Sequence, residues 1–212
     1  MKKKKNSIIG IILIFLGISI ISIALYMRIT SSLEQKAMIK DFQAELNTIQ
    51  DSINSSEDQV IEDEVVENVE ETPEKKPEIS LNSKAIGIMS IPKIELEVAI
   101  GEGVDMNTLK YALGHFPNTP MPGVTGNFAV AGHRSYTYNK YFNRLDELEI
   151  GDEINVTTLD GDFTYKVDNI SIVEPEEVSV LNSTTNSTIT LVTCTPVRVA
   201  THRLIIKGTL VN

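Results

Sequence analysis

At 212 residues, with a net charge of −10 and a single cysteine, the chain has room for one ordinary domain plus accessories and cannot form an internal disulfide. Five of the 19 Lys and Arg residues lie in the first 28 positions and all 29 acidic residues follow them. The surface beyond Arg28 therefore repels phosphate backbones, which argues against nucleic acid as a partner.

Residues 1–7 form a basic tail containing Lys2, Lys3, Lys4 and Lys5, and residues 8–28 read as a transmembrane anchor. The uncharged run 8–27 is about 20 residues long, enough for a helix to cross about 30 Å of hydrocarbon. Positive charge before the run places the tail in the cytoplasm and the remainder outside, a single-pass cell-membrane topology. Ser22-Ile23-Ala24 also offers the small-x-small pattern of a cleavable secretory signal, whose apolar core is usually only about 7 to 15 residues. Either reading puts the following domain outside the cell.

Residues 29–80 read as an acidic stem. Leu33, Met38, Phe42, Leu46, Ile49 and Ile53 recur at mostly helical spacing, which suits an amphipathic helix, either a stalk or a short self-associating segment, and a solvated stalk is the reading taken. Residues 51–78 are dense in Glu and Asp and end in Thr72-Pro73-Glu74-Lys75-Lys76-Pro77, as in an extended spacer. The boundary falls near Ser80, leaving 81–212 as the functional domain.

Within that domain, residues 84–91, 96–100, 127–131, 153–159, 163–169, 187–194 and 203–211 alternate as strands do. Asp160-Gly161 is a hairpin signal that pairs 153–159 with 163–169 in antiparallel fashion. Two short helices interrupt them. Asp105 is the N-cap of one carrying Met106, Leu109 and Leu113 with Gly114 as its stop, and residues 138–148 form the other. The class is all-β, and this strand spacing favours a closed or nearly closed barrel.

The chemistry centres on Cys194, at the end of an apolar strand stopped by Thr195-Pro196. If residues 195–202 return the chain, Arg203 opens an antiparallel neighbour and faces Cys194 with β-carbons about 5 Å apart. A guanidinium there favours the thiolate and can donate to an oxyanion formed when the thiolate attacks a carbonyl. Acyl transfer also needs a proton donor, for which His115, His133 and His202 are the available imidazoles. His133 follows an apolar strand and precedes a polar loop, but position alone does not choose among the three.

Thr190-Leu191-Val192-Thr193-Cys194 resembles the T-L-x-T-C motif of sortases. His202-Arg203-Leu204 resembles that family's arginine strand, and Gly126-Asn127-Phe128-Ala129-Val130-Ala131-Gly132-His133-Arg134 resembles its histidine segment. The three occur in the family's order across residues 81–212. The resemblance implies an eight-stranded sortase-type β-barrel that cuts an LPxTG-type sorting signal between Thr and Gly and passes the acyl group to a cell-wall peptidoglycan amine. It further implies Cys194 as nucleophile, His133 as acid and base, and Arg203 as oxyanion and substrate-positioning residue. The short N-terminal anchor, the end of the chain just after its last strand and Thr195-Pro196 look most like the class D branch.

No cofactor is implied. Glu174, Glu176 and Glu177 precede the cysteine strand, and Asp146, Glu147, Glu149, Asp152 and Glu153 lie upstream, but their spacing is not that of an EF-hand, and an acidic solvated loop is the reading taken, with no metal. Two other functions fit parts of the pattern: a cysteine hydrolase that hands its acyl group to water, and a non-enzymatic β-domain on a stalk, with the cysteine packed in its core.

Overall fold

The computed structural model describes residues 2–57, 85–134 and 141–211, with the side chains of the N-terminal helix described for residues 13–26, 29–30 and 32–51. That helix, α1, runs unbroken over Lys2–Glu57. A barrel follows, built from β1 (Ala85–Ile91), β2 (Leu96–Glu102), β3 (Leu113–His115), β4 (Gly126–Ala131), β5 (Glu153–Thr158), β6 (Gly161–Val173), β7 (Ser187–Thr195) and β8 (His202–Leu210), with helix α2 (Met106–Tyr111) between β2 and β3.

The strands close in the order β1-β2-β3-β4-β7-β8-β6-β5, with β5 returning to β1. Neighbours are antiparallel except β2 with β3 and β4 with β7, which run parallel. Closure removes the exposed edges that an open sheet would present. Alternation along each strand points Met89, Val98, Phe128, Ile154, Leu191 and Ile206 into one continuous apolar core. The all-β barrel expected from the sequence is the architecture observed.

The β5–β6 hairpin forms as expected, with Thr158 opposite Gly161. Its two-residue loop is Leu159-Asp160, one position earlier than the Asp-Gly signal implies. Gly161 takes φ 138°, a value few side chains tolerate, so the glycine supplies the strand's entry rather than the loop's second corner.

Three expectations are corrected. Leu113 does not continue α2, which ends at Tyr111; it begins β3, where it pairs with Ile100 and is fully buried. Burying Leu113 in the barrel outweighs one more turn of a short helix. Asp105 caps α2 as expected, its Oδ1 accepting from the N–H groups of Asn107 and Thr108 at 2.8 and 3.3 Å. Hydrogen bonding from those donors holds its carboxyl below the usual range.

The second predicted helix, over 138–148, is not a regular α-helix where described: residues 141–144 are turns and Leu145–Glu147 is a single 3₁₀ turn. Residues 138–140 lie outside the described residues. Phe142, Leu145 and Leu148 are buried in the core, and Arg144 Nη1 donates to the carbonyl of Ile94 at 3.0 Å. Tertiary anchoring at these points replaces helical hydrogen bonds.

The third correction concerns the stem. Its helical part is not a solvated stalk, because Phe42 is completely buried against Ala85, Ile88, Ala99 and Ala112, with Met38, Ile39 and Leu46 packed beside it. These residues sit three and four apart and so share one helix face. The helix therefore docks along the β1–β2 wall, where burial of Phe42 contributes about 1.5–3 kcal/mol. The acidic spacer beyond Glu57 and the boundary near Ser80 lie outside the described residues. Among the described residues no helix is long and apolar enough to cross a membrane.

Candidate active site

The register of β7 and β8 settles where the sulfur and the guanidinium stand. Cys194 and Arg203 are direct antiparallel partners, followed only by Thr195 opposite His202. Opposed residues point to the same face with β-carbons about 4.5–5.5 Å apart. Ile189 and Leu191 face the core, so Val192 and Cys194 face outward by alternation. Both Cys194 and Arg203 are half-buried, reachable from solvent yet partly shielded.

The return between the two strands is compact. The N–H groups of Val199 and Ala200 both donate to the carbonyl of Pro196, at 3.2 and 2.9 Å. Arg203 Nη1 donates to the carbonyls of Ala200 at 3.2 Å and His202 at 3.0 Å. These bonds tie the guanidinium to the return segment between the two strands.

His133 reaches the same place by another route. Strands β4 and β7 pair in parallel up to Ala131 opposite Val192, although the two lie about sixty residues apart in sequence. Two further bonds carry the pairing on: Gly132 N–H donates to the carbonyl of Val192 at 3.1 Å, and Thr193 Oγ1 donates to the carbonyl of Gly132 at 2.7 Å. Gly132-His133 thus leaves β4 alongside Thr193-Cys194. His133 is half-buried, and its carbonyl accepts from Phe142 N–H at 3.1 Å.

Gly132 is required by close approach. A β-carbon there would lie 2.5 Å from Phe142 Cδ2 and 2.7 Å from Leu113 Cδ2, inside contact distance. The backbone carrying His133 is therefore pressed against the core with no room to spare.

The other two imidazoles are elsewhere. His115 is buried on β3, its ring nitrogens bonded to Glu102 Oε2 at 2.8 Å and Thr119 Oγ1 at 3.0 Å, its ring 5.1 Å from that of Phe128. That is a structural histidine. His202 lies at the active-site end but pairs with Glu174 Oε1 at 3.3 Å and Thr201 Oγ1 at 2.9 Å. Of the other carboxylates in the loop before β7, Glu177 accepts from Ser179 Oγ. Among the described residues no three His, Cys, Asp or Glu side chains converge as metal ligands would.

Thiol, imidazole and guanidinium therefore stand at one end of the adjacent strands β4, β7 and β8. The set can supply a nucleophile, a proton carrier and planar donors for a developing oxyanion. Sequence reasoning gave no part in the site's chemistry to Arg134 or Thr195. Arg134 is almost entirely buried, and its Nη1 donates to Thr195 Oγ1 at 3.0 Å. An arginine directly after an apolar strand reads as a surface charge, and only tertiary structure shows it turned inward.

A sequence model of the Sortase domain matches residues 89–211. The chain is 34% identical over 137 residues to Sortase D of Bacillus subtilis (strain 168), covering 63% of this chain and 66% of that one. It is also 34% identical over 145 residues to Sortase SrtE1 of Streptomyces coelicolor, covering 61% and 41%. The alignments thus span under two thirds of either relative's length. Among solved structures, the Clostridium perfringens Sortase D5 transpeptidase superposes with a TM-score of 0.64 at 30% identity, over 84% of this chain and 99% of that one.

Proposed function

The chain belongs to the sortase family, matched by the family's sequence model over residues 89–211, and we propose that it is a membrane-anchored cysteine transpeptidase that attaches secreted proteins to the cell wall. The observation that carries the reading is the direct pairing of Cys194 with Arg203, with His133 leaving the neighbouring parallel strand beside them.

Each residue has a defined part in the reaction. The Cys194 thiolate attacks the Thr carbonyl carbon of an LPxTG-type sorting signal, forming a C–S bond and an oxyanion. Arg203 donates to that oxyanion, a role suited to its planar fork. As the intermediate collapses, the Thr–Gly C–N bond breaks and His133 protonates the departing amine. A thioester on Cys194 remains. A peptidoglycan amine then attacks the thioester carbonyl, gives its proton to His133 and displaces the thiolate.

The uncharged run 8–27, flanked by four lysines on its N-terminal side, supports a single-pass anchor with the N-terminus cytoplasmic and the barrel outside. Leu13, Ile14, Phe15, Leu16, Ile18, Ile20, Ile21 and Ile23 project from α1 largely exposed, as lipid-facing side chains would. Similarity to a Sortase D and a Sortase D5 supports a class D assignment.

The test is acceptor dependence. Purified full-length protein in detergent, given an LPxTG-type peptide and an oligoglycine amine, should release the C-terminal fragment and form the amine-ligated product. Hydrolysis at a rate and yield indifferent to added amine would instead identify a cysteine hydrolase. No turnover at all would leave a display domain on an anchor.

A further inference from the structure

A buried cation is costly unless paired, so the partners of an inward-turned arginine reveal what it holds together. The Arg134 side chain is only 6% exposed. Its guanidinium reaches three residues on two segments: Nη1 donates to Thr195 Oγ1 at 3.0 Å, Nε to the carbonyl of Asn143 at 3.4 Å, and Nη2 to Asp146 Oδ2 at 2.7 Å. Thr195 is itself buried and directly follows Cys194 on β7. On its own side, Arg134 directly follows His133.

One side chain thus ties the residue after the cysteine to the residue after the histidine. Gly132 fixes the other side of this junction through its bonds to Val192 and Thr193. Cys194 and His133 are therefore bracketed: backbone pairing precedes them and the Arg134–Thr195 bond follows. Asp146 and the Asn143 carbonyl brace the guanidinium from the 141–148 segment, whose Phe142 holds the His133 carbonyl.

We propose that Arg134 is a positioning residue of this active site, which through Thr195 sets the separation and orientation of the Cys194 thiol and the His133 imidazole. Its partners are Thr195, Asn143 and Asp146, none of them a reacting group. The proposal rests on the functional reading above for its catalytic consequence, while its geometric consequence is independent of that reading. Proton transfer demands close placement, and a misplacement of about 1 Å can cost about 100-fold in rate. Losing the clamp should therefore lower kcat while leaving KM nearly unchanged, because binding groups stay in place.

Thr195→Val is the decisive variant, since it removes one hydroxyl at constant shape and leaves the ion pair with Asp146 intact. Arg134→Met and Arg134→Lys accompany it. Full-length proteins in detergent are compared by melting temperature, by kcat and KM for sorting-signal peptide plus oligoglycine, and by ring NMR of ¹⁵N-histidine, which reports only three side chains. In folded Thr195→Val, kcat should fall about 10-fold with KM within about twofold, and the His133 signal should shift or broaden while those of His115 and His202 stay. Arg134→Met should lose more, about 100-fold, and Arg134→Lys should recover part of it. An unmoved His133 signal or an unchanged kcat in Thr195→Val overturns the proposal. A wild-type protein that turns over no peptide sinks the functional reading instead, and the His133 signal then decides the geometric claim alone.

Discussion

Cys194 and Arg203 face each other across β7 and β8, one residue pair before the strands part. On the proposed role of Arg203 as oxyanion donor, Arg203→Ala should lower kcat/KM by about 10²–10³-fold with little loss of stability. Arg203→Lys should recover little of that, since an ammonium cannot present two planar donors. Steady-state transpeptidation kinetics check both, and a lysine variant with wild-type activity would show that charge alone suffices.

Gly132 offers a test of how tightly the histidine segment is packed. Gly132→Ala places a methyl 2.5 Å from Phe142 Cδ2, which must move, and Phe142 N–H is what holds the His133 carbonyl. Overpacking of this kind costs about 1–3 kcal/mol. The variant should show a lower urea midpoint together with reduced kcat. Full stability and full activity would mean that the segment has slack.

Docking of α1 makes a prediction remote from the chemistry, since β1 and β2 lie across the barrel from β7 and β8. Phe42→Ala should destabilise the full-length protein by about 3–5 kcal/mol, read by denaturant unfolding, with kcat unaltered at temperatures where it is folded. A change of only about 0.5 kcal/mol, as at an ordinary surface position, would place Phe42 in solvent.

How much of this is legible in the sequence varies with the range of the interaction. Strands β1, β2 and β4 to β8 show as alternation, a property of neighbouring residues, and the Cys194–Arg203 pairing follows from one short return. The β3 strand, only Leu113-Gly114-His115, is too brief to show a period, and burial of all three residues erases the alternation. His133 reaches Cys194 through a parallel pairing of β4 with β7, which no local turn specifies. The Phe42 face has the same spacing whether it meets solvent, a partner or a barrel wall. Arg134 turns inward because Thr195 and Asp146 await it, and both are distant in sequence.

Alkaline pH should expose the core through Tyr165. Burial pushes its hydroxyl above the ordinary value of 10.0, while the bond it accepts from Gly123 N–H, at 2.9 Å, pulls the other way. A phenol raised in the folded state is protonated there when the unfolded chain has already ionised. Its stabilising contribution is thus complete below about pH 10 and is lost as pH rises through the folded-state value. Unfolding midpoints should fall over that range for the native chain, and Tyr165→Phe should flatten the fall while losing about 1 kcal/mol at neutral pH from the stranded Gly123 donor. Parallel slopes for the two proteins would remove Tyr165 as the cause.

Whether Cys194 carries the acyl group is decided by intact-mass spectrometry of the full-length chain, acid-quenched soon after mixing with an LPxTG-type peptide and no amine. The expected result is an added mass equal to the peptide's acyl fragment, mapped to Cys194, discharged by hydroxylamine and absent from Cys194→Ala. Cleavage of the peptide by Cys194→Ala, or an adduct on any other residue, would contradict it.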